Sequence, residues 1–184
     1  EAVEITADVM QASIISVMGV HPEAGDLRVQ VALGLEEHAR RRRVSYRGGI
    51  AGRALADATP VLVNDIEADP RFSRPNHPQY FTKSLLCVPL IIGGQPVGVI
   101  NVNNKRSREP FNEEDLALLT RLAERMALAM ERLRVFPDAP DIVEEGLASL
   151  RAVTRRHREL VLGQRLAADY ALALAMRMGV TGSE

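Results

Sequence analysis

The chain has 184 residues, enough for one domain of ordinary size and an appendage. Hydrophobic residues make up 46% and aromatic residues 4%, with no Trp, so its core must be aliphatic. A formal charge of -1 with 26% charged residues excludes the positive field of a nucleic-acid or acidic-membrane binder. The single cysteine, Cys87, cannot form an internal disulfide and fits a reducing cytoplasm.

In chain order, residues 1–10 carry Ala2, Ile5 and Val9 at helical spacing and predict the end of an incoming helix. ASIISVMGV, then HPEAGD, then LRVQVAL predict a strand, a turn and a second strand. Residues 36–48, polar and basic, are expected to be a connecting loop with a short strand near Val44. GIAGRALAD predicts a helix that ends before Thr59-Pro60, and VLV (61–63) a short buried strand. The segment 64–82 has no periodicity and contains Pro70, Pro75 and Pro78; a loop of that length is usually functional or mobile.

SLLCVPLIIGGQPVGVINVNN predicts two central strands joined across Gly93-Gly94, with irregularities or strand ends at Pro89 and Pro96. Asn112 is placed to cap the next helix, and Asp115 to return a hydrogen bond to it. Phe111 and Leu116 can form a hydrophobic staple across that start. Apolar residues at 116, 119, 123, 126, 130 and 133 make a heptad-like stripe, and Leu118, Leu122 and Ala129 a second apolar face that can meet a partner helix. VFPDAP (135–140) breaks the helix, and two further helical stretches follow to Gly179. The pattern is that of an α+β domain: one mostly antiparallel sheet, flanking helices and a helical tail. No apolar run approaches the roughly 20 residues of a membrane span, and no signal peptide is visible. The start at Glu1 and the end within a helical pattern suggest an internal piece of a longer protein.

Residues 48–134 resemble a GAF domain through GGIAGRALADATPVLVNDIEADPRF, YFTKSLLCVPL, GGQPVGVINVNNK and PFNEEDLALLTRLAERMALAME, in that order. The resemblance implies a six-stranded antiparallel sheet with helices on one face. It implies a pocket on the other face, under the loops and short helices between Gly49 and Thr82, in a cytoplasmic sensor of a bacterial signalling protein. Domain boundaries follow: residues 1–136 as the sensory domain, 137–140 as a Pro-containing linker and 141–184 as a helical extension.

Asn104, Lys105, Phe111 and Asp115 resemble the Asn-Lys-Phe-Asp-Glu motif of GAF domains that bind cyclic nucleotides, with Leu116 in place of the final Glu. In that family the Lys and Asp form a salt bridge that braces the fold. Capping gives Phe111, Asn112 and Asp115 the same structural role, so the motif does not establish a cyclic nucleotide as the ligand. A cyclic nucleotide or another small metabolite is the implied class. Residues 170–184 resemble the opening helix of an HD or HD-GYP phosphodiesterase domain, whose metal-binding His-Asp pair would lie beyond Glu184.

Asp65, Arg71, Phe72, Tyr80, Phe81, Thr82 and Ser84 around the long loop combine apolar walls with hydrogen-bonding groups, as small-molecule sites do. Equally, Phe72 and Tyr80 can pin the loop to the core while Asp65 and Thr82 satisfy backbone amides. Arg40–Arg43 can clamp phosphates, but without interleaved aromatics a solvated loop is the favoured reading. Cys87 within LLCVPL reads as core, without the neighbouring His that bilin-binding GAF domains carry. His21, His38, His77 and His157 are scattered and read as surface or loop residues, so no haem or metal is expected. No nucleophile elbow, phosphate-cradling loop or paired acid-base set suggests catalysis. The expectation is a non-catalytic ligand sensor, dimeric through its terminal helices; the alternative is a ligand-free dimerisation spacer.

Overall fold

A computed structural model of the chain describes residues 2–46 and 48–135. The expected linker, helical extension and HD-like tail lie outside these residues. Six strands form one antiparallel sheet: β1 (Ala12–His21), β2 (Asp26–Leu33), β3 (Arg43–Ser45), β4 (Val61–Val63), β5 (Leu85–Ile92) and β6 (Gln95–Lys105), in the order β3-β2-β1-β6-β5-β4. Four helices accompany them: α1 (Ala2–Val9), α2 (Glu37–Arg40), α3 (Gly49–Asp57) and α4 (Glu113–Val135). The stretch 36–48, expected to be loop and strand only, also folds into the single helical turn of α2.

The register explains the layers. Ile15 pairs with Val102 and Val17 with Ile100, while across the next ladder Leu86 meets Val102 and Val88 meets Ile100. Residues directly opposite share a face, so these apolar rows make one continuous surface. α1 and α4 cover it with Ala7, Met10, Leu119, Ala123 and Met126, enclosing Phe111. Each fully buried large side chain there contributes about 1.5–3 kcal/mol. Leu118 and Leu122, expected to face a partner helix, are partly buried against this same core.

The other face carries the alternate residues. Met18, Leu85, Cys87 and Val99 pack beneath α3 through Ile50, Ala51, Ala54 and Leu55. Gly52 sets how closely α3 approaches: a Cβ there would lie 2.6 Å from the Ser45 carbonyl oxygen, so only glycine allows the contact. Pro89 sits where β5 has no outer neighbour, because the β4 pairing stops at Cys87; a missing donor is tolerated at such an edge. The register of β5 and β6 shifts just beyond it, between Leu90 and Ile91. The hairpin closes on Gly93 and Gly94, both at positive φ (57° and 77°), which two-residue hairpin turns require.

The start of α4 follows its expected chemistry. Asn112 Oδ1 accepts from the Asp115 N–H (2.9 Å) and Asp115 Oδ2 accepts from the Asn112 N–H (3.0 Å). Two orphan donors of the first turn are thereby satisfied reciprocally.

Candidate functional site

A cavity of about 730 Å³ opens on the α3 side of the sheet. Its floor is polar as well as apolar: Ser16, Asn101 and Asn103 line it beside Met18, Val29 and Leu85. Ser16 pairs with Asn101, and Asn103 with Leu85 across the next ladder, so the alternation of β1, β5 and β6 sets these side chains on one face. The start of α3, the α2–β3 segment and the chain from Arg74 to Tyr80 form the walls and roof.

Asn101 Nδ2 donates to Ser16 Oγ (3.3 Å). Asn103 is only 7% exposed, yet among the described residues its amide has no hydrogen-bond partner. On the roof, Gln79 Oε1 is buried without a well-formed hydrogen bond. A buried polar atom without a partner costs about 1–3 kcal/mol, so Gln79 Oε1 on the roof, with the Asn103 amide on the floor, gives the cavity groups that suit a polar guest. His38, His77 and Tyr80 form an aromatic strip, with ring centroids 5.7 and 5.9 Å apart in succession. Burial raises the Tyr80 phenol above its ordinary range; a loose hydrogen bond with the Gln79 side chain and the charges of Arg74 and Arg42 partly offset this, and the Glu36 charge adds to it.

Of the seven residues expected at a ligand site, Tyr80 lines this cavity and the other six do not. Asp65 Oδ1 accepts from the Glu67 and Ala68 N–H groups (2.8 and 3.3 Å), closing a turn. Arg71 forks onto Asp69, donates to the Leu62 carbonyl (2.6 Å) and lies over the Phe72 ring. That pairing holds the Asp69 carboxyl below, and the Arg71 guanidinium above, their ordinary ranges. Phe72 packs on the α3-side core, and with Arg71 borders a smaller hollow of about 390 Å³. Phe81 is 52% exposed beneath the Arg108 guanidinium. Thr82 donates to the Ser84 carbonyl through Oγ1 (3.3 Å). Ser84 Oγ donates to the Val63 carbonyl and accepts the Phe111 N–H, both at 2.9 Å. The long loop is thus internally braced, and its polar residues serve mostly to hold it.

The motif residues act in the same way. Asn104, at φ 59° in a conformation Asn tolerates, accepts the Thr82 N–H (3.3 Å) and donates to the Gln79 carbonyl (3.1 Å), tying the loop to β6. Lys105 Nζ meets Asp115 Oδ2 at 2.5 Å and lies 5.5 Å from the Phe111 ring centroid. Neither Lys105 nor Asp115 lines the cavity. Cys87 is fully buried, and burial pushes its thiol pKa up.

Sequence reasoning missed Ser16, Asn101 and Asn103. The signal was present: two Asn residues two apart within an otherwise apolar strand must project from one face. It also favoured solvation for an arginine run of which Arg42 and Arg43 line the cavity.

The fold recurs in solved structures. A methyl-accepting chemotaxis protein segment aligns with a TM-score of 0.62 at 20% identity, over 75% of this chain and 89% of its own. The GAF domain of a phosphoenolpyruvate-protein phosphotransferase from Coxiella burnetii aligns at 0.60 and 18% identity, over 72% and 80%. A type II free methionine-R-sulfoxide reductase from Thermoplasma acidophilum aligns at 0.57 and 21% identity, over 69% and 85%. At such identities these likenesses speak to the fold. The GAF domain family itself matches residues 1–131, and with the six-stranded sheet, the cavity and the motif residues in place, the chain belongs to the GAF domain family, a regulatory sensor fold of signalling proteins.

Proposed function

We propose that this GAF domain is a non-catalytic sensor: a small molecule fills the cavity, and α1 and α4 carry its effect to an output domain. The observation that carries this reading is a 730 Å³ cavity whose floor holds Asn103, a side chain that makes no hydrogen bond among the described residues. A side chain so placed keeps hydrogen-bonding capacity that a polar guest can take up. α1 and α4 rest on the opposite face of the same strands, so a shift of β1 or β6 reaches them directly. To signal, the ligand must favour one helix arrangement over another. The tail's resemblance to an HD-type phosphodiesterase makes that class the first output to examine.

Cys87 supports the non-catalytic reading. A nucleophilic thiol needs exposure and a lowered pKa, and Cys87 has neither. Homodimerisation through the terminal helices belongs to the same proposal, on the observation that Leu128 of α4 is 38% exposed beside the core-facing stripe.

The test is native mass spectrometry of the purified chain, followed by thermal shift against cyclic nucleotides and common metabolites. A copurified small molecule, or a compound that raises the melting temperature of the wild type but not of Asn103→Leu, is the expected result. A ligand that binds both equally removes the cavity from the proposal. A bare dimer that responds to nothing gives preference to the ligand-free spacer.

A further inference from the structure

Three arginines line the cavity: Arg42 after α2, Arg43 at the start of β3 and Arg74 in the roof. Among the described residues, no Asp or Glu lines it. Elsewhere five guanidinium groups are matched to carboxylates, Arg28 to Asp26, Arg41 to Glu37, Arg53 to Asp57, Arg71 to Asp69 and Arg106 to Asp8, at 2.7–3.3 Å, while Arg40 and Arg121 donate to backbone carbonyls and Arg108 lies over the Phe81 ring. Among the described residues, Arg42, Arg43 and Arg74 have no carboxylate within ion-pair distance. The nearby Glu36 lies 3.2 Å from His38 Nδ1, an ion pair only where that imidazole is protonated, and its charge also reaches Tyr80. The lining of the cavity therefore brings three arginines together with no acidic side chain to offset them among the described residues.

We infer that the ligand is a small organic anion, its phosphate or carboxylate held by Arg42, Arg43 and Arg74 and its remaining polar atoms by Asn103. This rests on the cavity being the ligand site. Arg forks match planar carboxylate and phosphate oxygens and form charge-assisted bonds about twice as strong as neutral ones. A concave surface of one sign also concentrates counter-charged solutes at its mouth. Tyr80, with His77 beside it, supplies a flat wall for the uncharged part. The positions agree: the Arg74 guanidinium lies 3.8 Å from where a Gly49 side chain would begin, beside the opening of α3, and the charges of Arg74 and Arg42 both reach the Tyr80 phenol.

The experiment is calorimetric titration of the full chain with adenosine 5′-monophosphate, citrate and neutral adenosine at matched ionic strength. At least one anion is expected to bind at least tenfold more tightly than adenosine, and the preference for one anion assigns phosphate or carboxylate. The Arg42→Gln/Arg74→Gln double variant should lose about tenfold or more of that affinity, the scale of a lost charge-assisted bond. Arg41→Gln, whose guanidinium pairs with Glu37 and does not line the cavity, should change it less than twofold. All three substituted residues are exposed, and circular dichroism melts check that the variants fold. Anions no tighter than adenosine, or a double variant that binds like the wild type, overturn the anion assignment while leaving a cavity ligand in place. An anion sensitive to the arginines but indifferent to Asn103→Leu places the charge at the surface and overturns the cavity reading instead.

Discussion

The two faces of the sheet are built from the same strands and differ in almost everything else. On the α1/α4 face, β1, β5 and β6 contribute rows of Ile, Val and Leu that meet helical Leu, Ala and Met without polar interruption. On the other face the next residues along β1 and β6 are Ser16, Asn101 and Asn103, and α3 covers only part of the surface. Dry packing of the first face supplies stability, because each buried methylene contributes there. The second gives up some of that apolar packing: Asn101 is held by Ser16, and Asn103 keeps hydrogen-bonding capacity for a guest. A protein that places unpaired polar atoms in a cavity has a weaker fold and a stronger reason to bind.

That contrast can be broken at the dry face first. Phe111→Ala should cost about 4 kcal/mol in urea denaturation, since Phe111 is fully enclosed between α4 and the sheet; a loss under about 1 kcal/mol would show that this face collapses around the gap. Ser84→Ala removes the partner of both the Val63 carbonyl and the Phe111 N–H and should cost about 2 kcal/mol, with cavity binding retained. If binding disappears while the melting temperature stays, Ser84 belongs to the ligand site after all.

Lys105→Ala should cost about 1.5 kcal/mol, between the values for surface and fully buried pairs, because both side chains of the Lys105–Asp115 bridge are mostly buried. Ligand affinity at constant fraction folded should not move, and a tenfold loss would assign the motif a direct role. On the cavity face the opposite behaviour is expected. Asn103→Leu removes an unpaired polar group, so stability should change by less than about 1 kcal/mol, whereas ligand affinity should fall at least tenfold. Denaturation and titration of the same variant separate the two.

The smallest effect concerns pH. Because Arg71 holds Asp69 below its ordinary 3.8 in the folded chain, the native state binds fewer protons than the unfolded one in that range. The contribution is therefore complete above about pH 4 and is lost as pH falls through the lowered value. It should amount to no more than about 0.5 kcal/mol for so exposed a guanidinium. Melts of wild type and Asp69→Asn should converge as pH falls below the ordinary carboxylate range, and a difference that stays constant across that fall would mean the pair contributes nothing.

Local chemistry was legible wherever it was self-contained. The α4 start could be read from Asn112 and Asp115 because a capping box needs only four consecutive residues. The hairpin of β5 and β6 could be read because Gly93 and Gly94 permit the positive φ its turn demands. The loop 64–82 was located, with a ligand-binding and a structural reading of its side chains left even: Asp65, Arg71 and Ser84 carry hydrogen-bonding groups that would suit a ligand, and each directs them at backbone groups of 62–68 or 111. Nothing in a linear sequence says whether a polar atom finds its partner within the chain.

The sequence by itself determined the α+β architecture, the order of its elements and the capping role of Asn112 and Asp115, since periodicity, caps and turns act over a few residues, while the Lys105–Asp115 brace was implied by the family resemblance. It also determined, through alternation along β6, that Asn101 and Asn103 would share a face. Only the tertiary structure decided that this face is hollow, that Arg42, Arg43 and Arg74 come from distant segments to border one cavity, and that their charges meet no carboxylate there. Burial and charge compensation are properties of neighbours in space, and residues 42 and 74 become neighbours only when the sheet and α3 have brought them together.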